Sequence, residues 1–297
     1  MHRKAYLLLL LTMLFWGGNA VAGKFAVGHI SPMLLTTVRW GLAMLLLVPL
    51  ATGRLRAEWP TVRPHLPYLA VLGAVGFSLF NALMYSALTF TSAINVSIEQ
   101  AGMPMVIFLI NFLLFSMRVS WAQMLGLVLS VVGIALTASH GEPARLAALD
   151  VNFGDAMMMV ALVLYGAYTV ALRYKPAISW QSLMLVLCAS AFLTSLPFTV
   201  WEIATARVVW PDAPGWAIGV FTAIFPSVLA QAFYIRGVEL IGSNRGGLFI
   251  NLVPIFGTLL AILFLGEDFH LYHALAIVLV LGGIWLAEHS GRRMAAG

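Results

Sequence analysis

The stretch Ala101-Gly-Met-Pro104-Met-Val-Ile-Phe-Leu109-Ile-Asn-Phe-Leu113 returns 150 positions later as Asn251-Leu-Val-Pro254-Ile-Phe-Gly-Thr-Leu259-Leu-Ala-Ile-Leu263. The alignment runs without a gap over residues 93–136 and 243–286. Leu125, Val128, Gly133, Ile134 and Leu136 meet Leu275, Val278, Gly283, Ile284 and Leu286. A helix needs about 20 apolar residues to cross a hydrocarbon core of about 30 Å, and each half of the chain holds five such runs. Five is odd, so the second half must enter the bilayer upside down relative to the first. Secondary transporters use inverted repeats of this kind to build a site that opens to either face.

Composition agrees with that reading. Of 297 residues, 62% are hydrophobic and 9% charged, against about 25% charged in a soluble domain. The expected fold is an all-α integral membrane protein of ten transmembrane helices, arranged as two inverted five-helix repeats. The spans are expected at 5–27, 32–52, 66–88, 93–116, 121–138, 154–173, 179–201, 214–237, 243–265 and 270–288. The first repeat is assigned to residues 1–138, a connecting loop to 139–153, and the second repeat to 154–297. Ser31-Pro32 and Ser179 open their spans as N-caps. Pro64 with Pro67 opens the third span and Pro211 with Pro214 the eighth. No length remains for a soluble catalytic domain. Cys188, the single cysteine, permits no internal disulfide, and no Cys/His metal spacing exists; no cofactor or metal is expected.

Charge gives the orientation, because Lys and Arg collect in cytoplasmic loops. With the N-terminus inside, the inside segments hold Arg3, Lys4, Arg54, Arg56, Arg63, Arg118, Arg173, Lys175, Arg236, Arg245, Arg292 and Arg293. The outside loops hold Arg145 and Arg207, while Glu142, Asp150, Asp155, Glu202, Asp212, Glu267 and Asp268 gather there. Both termini are therefore expected in the cytoplasm of a bacterium, with the chain in its inner membrane. The net charge of +5 reflects this topology rather than a nucleic-acid partner. The start, Met1-His-Arg-Lys before an apolar run and Ala20-Val-Ala22, imitates a signal peptide. It pairs with the second half (Trp16-Gly-Gly-Asn-Ala-Val-Ala with Tyr165-Gly-Ala-Tyr-Thr-Val-Ala), so it is expected to stay as the first span.

Polar groups deep in lipid are costly and mark candidate sites. Glu99 is the one acid well inside an expected span. Asn95 lies four residues earlier on the same helix face, and Gln100 is adjacent. Glu99 reads as a partner for a substrate amine or a proton carrier, or else as a hydrogen-bonded structural acid. Pro104 and Pro254 fall near the middle of spans four and nine as matched kinks, candidate hinges. Asn81 and Gln231 are 150 positions apart. Each has a serine before it (Ser78, Ser227) and a tyrosine after it (Tyr85, Tyr234) on the same face. Trp16 with Asn19 and Tyr165 with Tyr168 add aromatic walls. The set suits a small amphipathic solute with a flat apolar group and polar ends; taken singly, each residue serves equally well as interhelical glue. Lys24 and Arg39 lie near outer helix ends. Arg39 is read as snorkelling or bracing, with carboxylate or phosphate binding as its other use. His270 and His273 lack a third ligand for a metal and are read as interfacial. Gly126, Gly133, Gly282 and Gly283 are expected to allow close helix packing.

Trp16-Gly-Gly-Asn-Ala-Val-Ala-Gly-Lys24, then Ser31-Pro32 and Arg39-Trp40, resembles the opening of EamA-type members of the drug/metabolite transporter superfamily. Tyr85-Ser-Ala-Leu-Thr-Phe-Thr-Ser-Ala93 followed by Pro104 is similar to that family's third-to-fourth-span signature. The second copy, through Pro254 and Gly266-Glu267, resembles its second repeat. The resemblance covers essentially the whole chain and implies a ten-helix inner-membrane exporter of small metabolites working by alternating access. The aromatic and amide lining is most similar to aromatic-amino-acid exporters of the YddG type. Glu99-Gln100 departs from the less polar residues common in that stretch.

The expected function is therefore export of small amphipathic metabolites, foremost aromatic or other amino acids. Trp16, Tyr85, Tyr165 and Tyr234 would stack on the solute, and Asn81, Gln231 and Glu99 would hold its polar ends. The expected partners are the lipid bilayer, the solute and protons, with the chain acting as monomer or homodimer. A carrier of anionic or phosphorylated metabolites would need a basic cavity, for which Lys24 and Arg39 are the available cations. An intramembrane enzyme is disfavoured, since no H-E-x-x-H, G-x-S-x-G, paired membrane aspartates or Gly-rich phosphate loop is present. A non-transporting scaffold would not need polar pairs placed symmetrically at depth.

Overall fold

A computed structural model describes residues 2–115, 120–142, 152–242, 246 and 249–295. Arg118, Arg145, Asp150 and Arg245 lie outside the described residues, as do the side chains of Arg292 and Arg293. No strand occurs among the described residues. Ten helical segments follow in chain order: α1 (His2–Phe25), α2 (Pro32–Val62), α3 (66–87), α4 (Ala93–Phe115), α5 (Trp121–Ala138), α6 (Phe153–Tyr174), α7 (Trp180–Ala204), α8 (Ala213–Ile241), α9 (Ile250–Leu265) and α10 (Leu271–Ala295). The 56 residues from Pro32 to Ala87 are helical almost throughout. At 1.5 Å per residue they would be far too long for one crossing, and the 3-10 turn Arg63–His65 divides them into α2 and α3.

The packing obeys the exchange that an inverted repeat demands, in which spans one to five trade places with six to ten. Helix α2 packs on α7, α4 on α9 and α5 on α10. The contact of α1 with α8 is answered by α6 with α3, and that of α1 with α9 by α6 with α4. The inversion is visible along the helices too. Helix α6 meets α3 through Phe80–Ala87, towards the face opposite the termini, while α1 meets α8 through Ala230–Ile241, towards the face that carries them. The first is the far face and the second the termini face.

Local chemistry explains the helix ends. Ser120 and Gln123 form a reciprocal capping box at the start of α5. Two glutamates repeat one device at opposite faces. Glu58, near the end of α2, accepts from the Ser179 backbone N–H at 3.0 Å and from its hydroxyl at 2.9 Å. Glu202, near the end of α7, accepts from the Ser31 hydroxyl at 2.5 Å and from the Leu34 N–H at 3.2 Å. Each carboxylate places negative charge on the positive end of the neighbouring helix. This corrects two expectations. Ser31 makes no side-chain cap of its own, because its hydroxyl donates to Glu202 and the carboxylate takes the helix N–H groups. Helix α2 runs ten residues past the expected end, through Pro49, and carries Glu58 across to α7.

Small residues bring α5 and α10 together. A Cβ built on Gly126 would lie 2.4 Å from the Gly283 carbonyl, and one on Gly133 2.9 Å from the Ala276 carbonyl. Gly282 faces outward and meets nothing within 4 Å, so it takes no part in this contact.

Candidate functional site

Among the described residues, Arg39 is the centre of the largest buried side-chain network. It lies seven residues into α2 and is 5% exposed. Its Nε donates to Ser227 Oγ at 2.9 Å. Its Nη1 donates to Asn19 Oδ1 at 2.8 Å, Asn81 Oδ1 at 2.8 Å and the Tyr85 hydroxyl at 2.5 Å. The guanidinium also lies 4.8 Å from the Trp40 ring centroid, and Trp40 stacks on Phe77 at 4.5 Å. Side chains from three other spans, α1, α3 and α8, thus converge on one cation. The expectation that Arg39 braces an outer helix end is corrected: it points inward. No carboxylate neutralises it among the described residues. Among the described residues its Nη2 has no hydrogen-bond partner, and that nitrogen is not sealed from solvent.

The backbone around this network is prepared for side-chain donors. Helices α3 and α8 each contain a π-helical turn, Ala74–Leu79 and Ala223–Leu229, at matched positions. Such turns leave carbonyls without their usual helical partners and recur at functional sites. The carbonyls of Phe77 and Pro226, 149 positions apart, each accept an indole N–H at 3.2 Å, from Trp40 and Trp16 respectively. The Phe77 carbonyl also takes Asn81 Nδ2 at 2.8 Å, which aims Asn81 Oδ1 at Arg39. Pro226 has no N–H to give to the Thr222 carbonyl; the Ser227 hydroxyl donates there instead, at 2.8 Å, and presents its oxygen to Arg39.

Aromatic rings flank the network. Trp16 and Tyr234 approach with centroids 5.4 Å apart, Tyr165 and Tyr168 at 5.3 Å, and Tyr165 and Phe80 at 4.8 Å. Trp16, Tyr165, Gln231, Tyr234 and Gln100 are half-buried, and Tyr168 is buried. Gln100 donates to its own helix, to the Val96 carbonyl at 3.3 Å. Ser78 is fully buried with no partner for its hydroxyl. Lys24 is occupied elsewhere, donating to the carbonyls of Leu88 and Thr91 at 2.9 and 2.7 Å, which ties α1 to the end of α3.

Asn95 and Glu99 do not join this network. They occupy a second buried cluster, where α4 meets α5, α6 and α10. Asn95 donates to Thr91 Oγ1 at 3.2 Å and is paired with His273 Nε2 at 3.2 Å. Glu99 and Asp155 are fully buried, and neither carboxyl oxygen of either residue has a hydrogen-bond partner. Two expectations change here. Asp155, read as a loop acid, sits inside the protein on the first turn of α6. His273, read as interfacial, is 3% exposed; only its neighbour His270 is exposed.

The matched prolines sit at breaks rather than at mid-helix kinks. Span four stops at Gly102, whose backbone closes a turn on Glu99, and resumes with Pro104 in the first turn of Met103–Phe115. Pro254 stands in the first turn of Val253–Leu260, after the 3-10 turn Ile250–Leu252. At a first turn the missing N–H costs no hydrogen bond.

A family model described as "EamA-like transporter family" matches residues 3–139 and again residues 152–288. Among curated relatives, a Bacillus subtilis protein named uncharacterized transporter YyaM is 26% identical over 97% of this chain and 94% of its own. A Streptantibioticus cattleyicolor protein named probable terminal-alkyne amino-acid exporter is 26% identical over 89% of this chain and 86% of its own. A solved crystal structure shares the fold with a TM-score of 0.64, at 22% identity over 99% of both chains.

Proposed function

Because the chain belongs to the EamA-like transporter family and is thereby a membrane transporter, we propose that it exports amino acids, aromatic ones foremost, by alternating access across the bacterial inner membrane. The observation that carries this reading is Arg39. A guanidinium is always charged, and burying a charge without a counter-charge is costly. Its protein partners are four neutral oxygens, and one terminal nitrogen remains for a carboxylate brought by the solute. Arg is suited to that task because its planar fork matches a carboxylate. Asn19, Asn81, Tyr85 and Ser227 then position the cation, while Trp16, Tyr165 and Tyr234 offer faces for an aromatic side chain. Gln231 and Gln100 are assigned to the polar end, and Pro104 and Pro254 to the breaks about which the halves rock. Asn95 and Glu99, first assigned to the solute, lie in the other cluster. The relative named as an amino-acid exporter supports the substrate class.

The test is uptake of labelled Trp, Phe and Thr into proteoliposomes. Uptake faster than into empty vesicles, and lost at least tenfold in Arg39→Gln, is expected. Equal rates with and without protein would end the amino-acid reading. The same cation favours a second reading, an anionic or phosphorylated solute without an amine. It predicts that such a solute, and not phenylalanine, competes for uptake.

A further inference from the structure

We propose that Glu99 and Asp155 form a proton-binding site, filled from the far face and separate from the Arg39 network; as the coupling site of the exporter it rests on the reading above, as a proton site it does not. Two carboxyls are fully buried where α4 packs on α6, and their four oxygens have no hydrogen-bond partner. Two bare carboxylates buried together without a partner would repel each other in a low-dielectric setting, so in the proposed site at least one of the two carries a proton.

Among the described residues, the groups around the pair offer no cation that is free to neutralise it. Thr91 comes from the turn before α4 and Asn95 from its first turn; His140 follows the end of α5; His270, just before α10, and Tyr272 and His273 in its first turn complete the set. Glu267 from α9 is spent on the Ala93 and Ile94 backbone N–H groups at 2.8 and 2.9 Å. Lys24 from α1 is held by two carbonyls. His273 is held neutral by its bonds: Nδ1 accepts from the His270 backbone N–H at 3.0 Å, so Nε2 carries the hydrogen and donates to Asn95 Oδ1. Asn95 in turn donates to Thr91 Oγ1, whose own hydrogen is free to turn towards Asp155, its neighbour.

The entry is built from the same elements. His270 is exposed and stacks on Tyr272 at 5.4 Å, and Tyr272 lies 4.1 Å from His273. His140, half-exposed at the end of α5, meets Tyr272 from the other side at 6.2 Å. Titratable rings therefore lead from the far face to Asn95, one helical turn before Glu99. The repeat partners of Asn95, Glu99, His270 and His273 are Arg245, Phe249, Ser120 and Gln123. A device present in one half of an inverted repeat serves one face. Glu99 lies three residues before Gly102, where span four breaks, so gain or loss of its proton acts on the segment that must move.

Infrared difference spectroscopy of the purified full chain in lipid tests this without any substrate. A carbonyl stretch of a protonated carboxyl should appear and vanish reversibly with pH in the folded protein, and be absent or shifted in Glu99→Gln and Asp155→Asn. If one variant fails to fold, the other and the wild-type titration still report. A band that stays unchanged between about pH 5 and pH 8, the range in which histidines titrate, overturns the proposal. So does a band abolished at constant pH by replacing choline chloride with sodium chloride, which would make this a sodium site. A titrating band in a protein that carries no amino acid keeps the proton site and removes the exporter reading; transport with a silent band does the reverse.

Discussion

Arg39 is held by four oxygens drawn from Asn19, Asn81, Tyr85 and Ser227, and its neighbours can satisfy hydrogen bonds but not charge. Exchange for lysine keeps the charge and loses the fork. A hydrogen bond to a charged group is worth about 1.5–3 kcal/mol, so Arg39→Lys should slow transport roughly 10- to 100-fold, by initial rates in proteoliposomes, while melting stays cooperative. A second residue-scale prediction concerns the far-face loops. His29 bonds the Asp212 carboxylate at 2.7 Å, and the Gly215 N–H reaches its other oxygen at 2.8 Å. The His29 bond, more than the backbone one, holds the Asp212 carboxyl below its ordinary range. A carboxyl so depressed adds stability that is full above the unfolded value, about 3.9, and fades as pH falls through the folded one. Thermal melts of wild type and Asp212→Ala should therefore differ more near neutral pH than in acid.

At the scale of elements, the reciprocal glutamates and the glycine seam make opposite kinds of statement. Glu202 and Glu58 cap partner helices at opposite faces, farther apart than the roughly 10 Å beyond which effects add. Glu202→Ala should cost about 1–3 kcal/mol by leaving buried N–H groups unsatisfied, and the double variant with Glu58→Ala should show the sum in denaturant or thermal unfolding. At the seam, Gly126→Leu would drive a side chain into the Gly283 carbonyl and should abolish a monodisperse folded peak in size-exclusion chromatography. Gly282→Leu, one position from the seam and facing outward, should leave it intact. The seam glycines were legible from the repeat, because Gly133 and Gly283 align. Gly282 was not separable from its neighbour, since sequence spacing leaves helix rotation open. The π-turns were not legible either: α8 has a proline to disturb its ladder, but α3 reaches the same carbonyl geometry without one.

For the whole molecule, topology gives the remaining prediction. A fluorescent-protein fusion after Gly297 should glow in the cytoplasm, and alkaline phosphatase inserted in the loop at 205–211 should be active outside. The reverse pattern would invert the charge-based orientation and move the histidine entry to the cytoplasm. Span number, the inversion of the halves and the aromatic-amide candidates followed from hydropathy and a spacing of 150, because these properties add up locally along the chain. The meeting of particular side chains did not. Arg39 finds Asn19 20 positions away and Ser227 188 positions away, while Glu99 is buried outside that network. Membership of a span and depth along it are one-dimensional quantities. Which polar groups share a contact depends on how ten helices rotate about their axes to bury charge and match small surfaces, and packing alone selects that rotation.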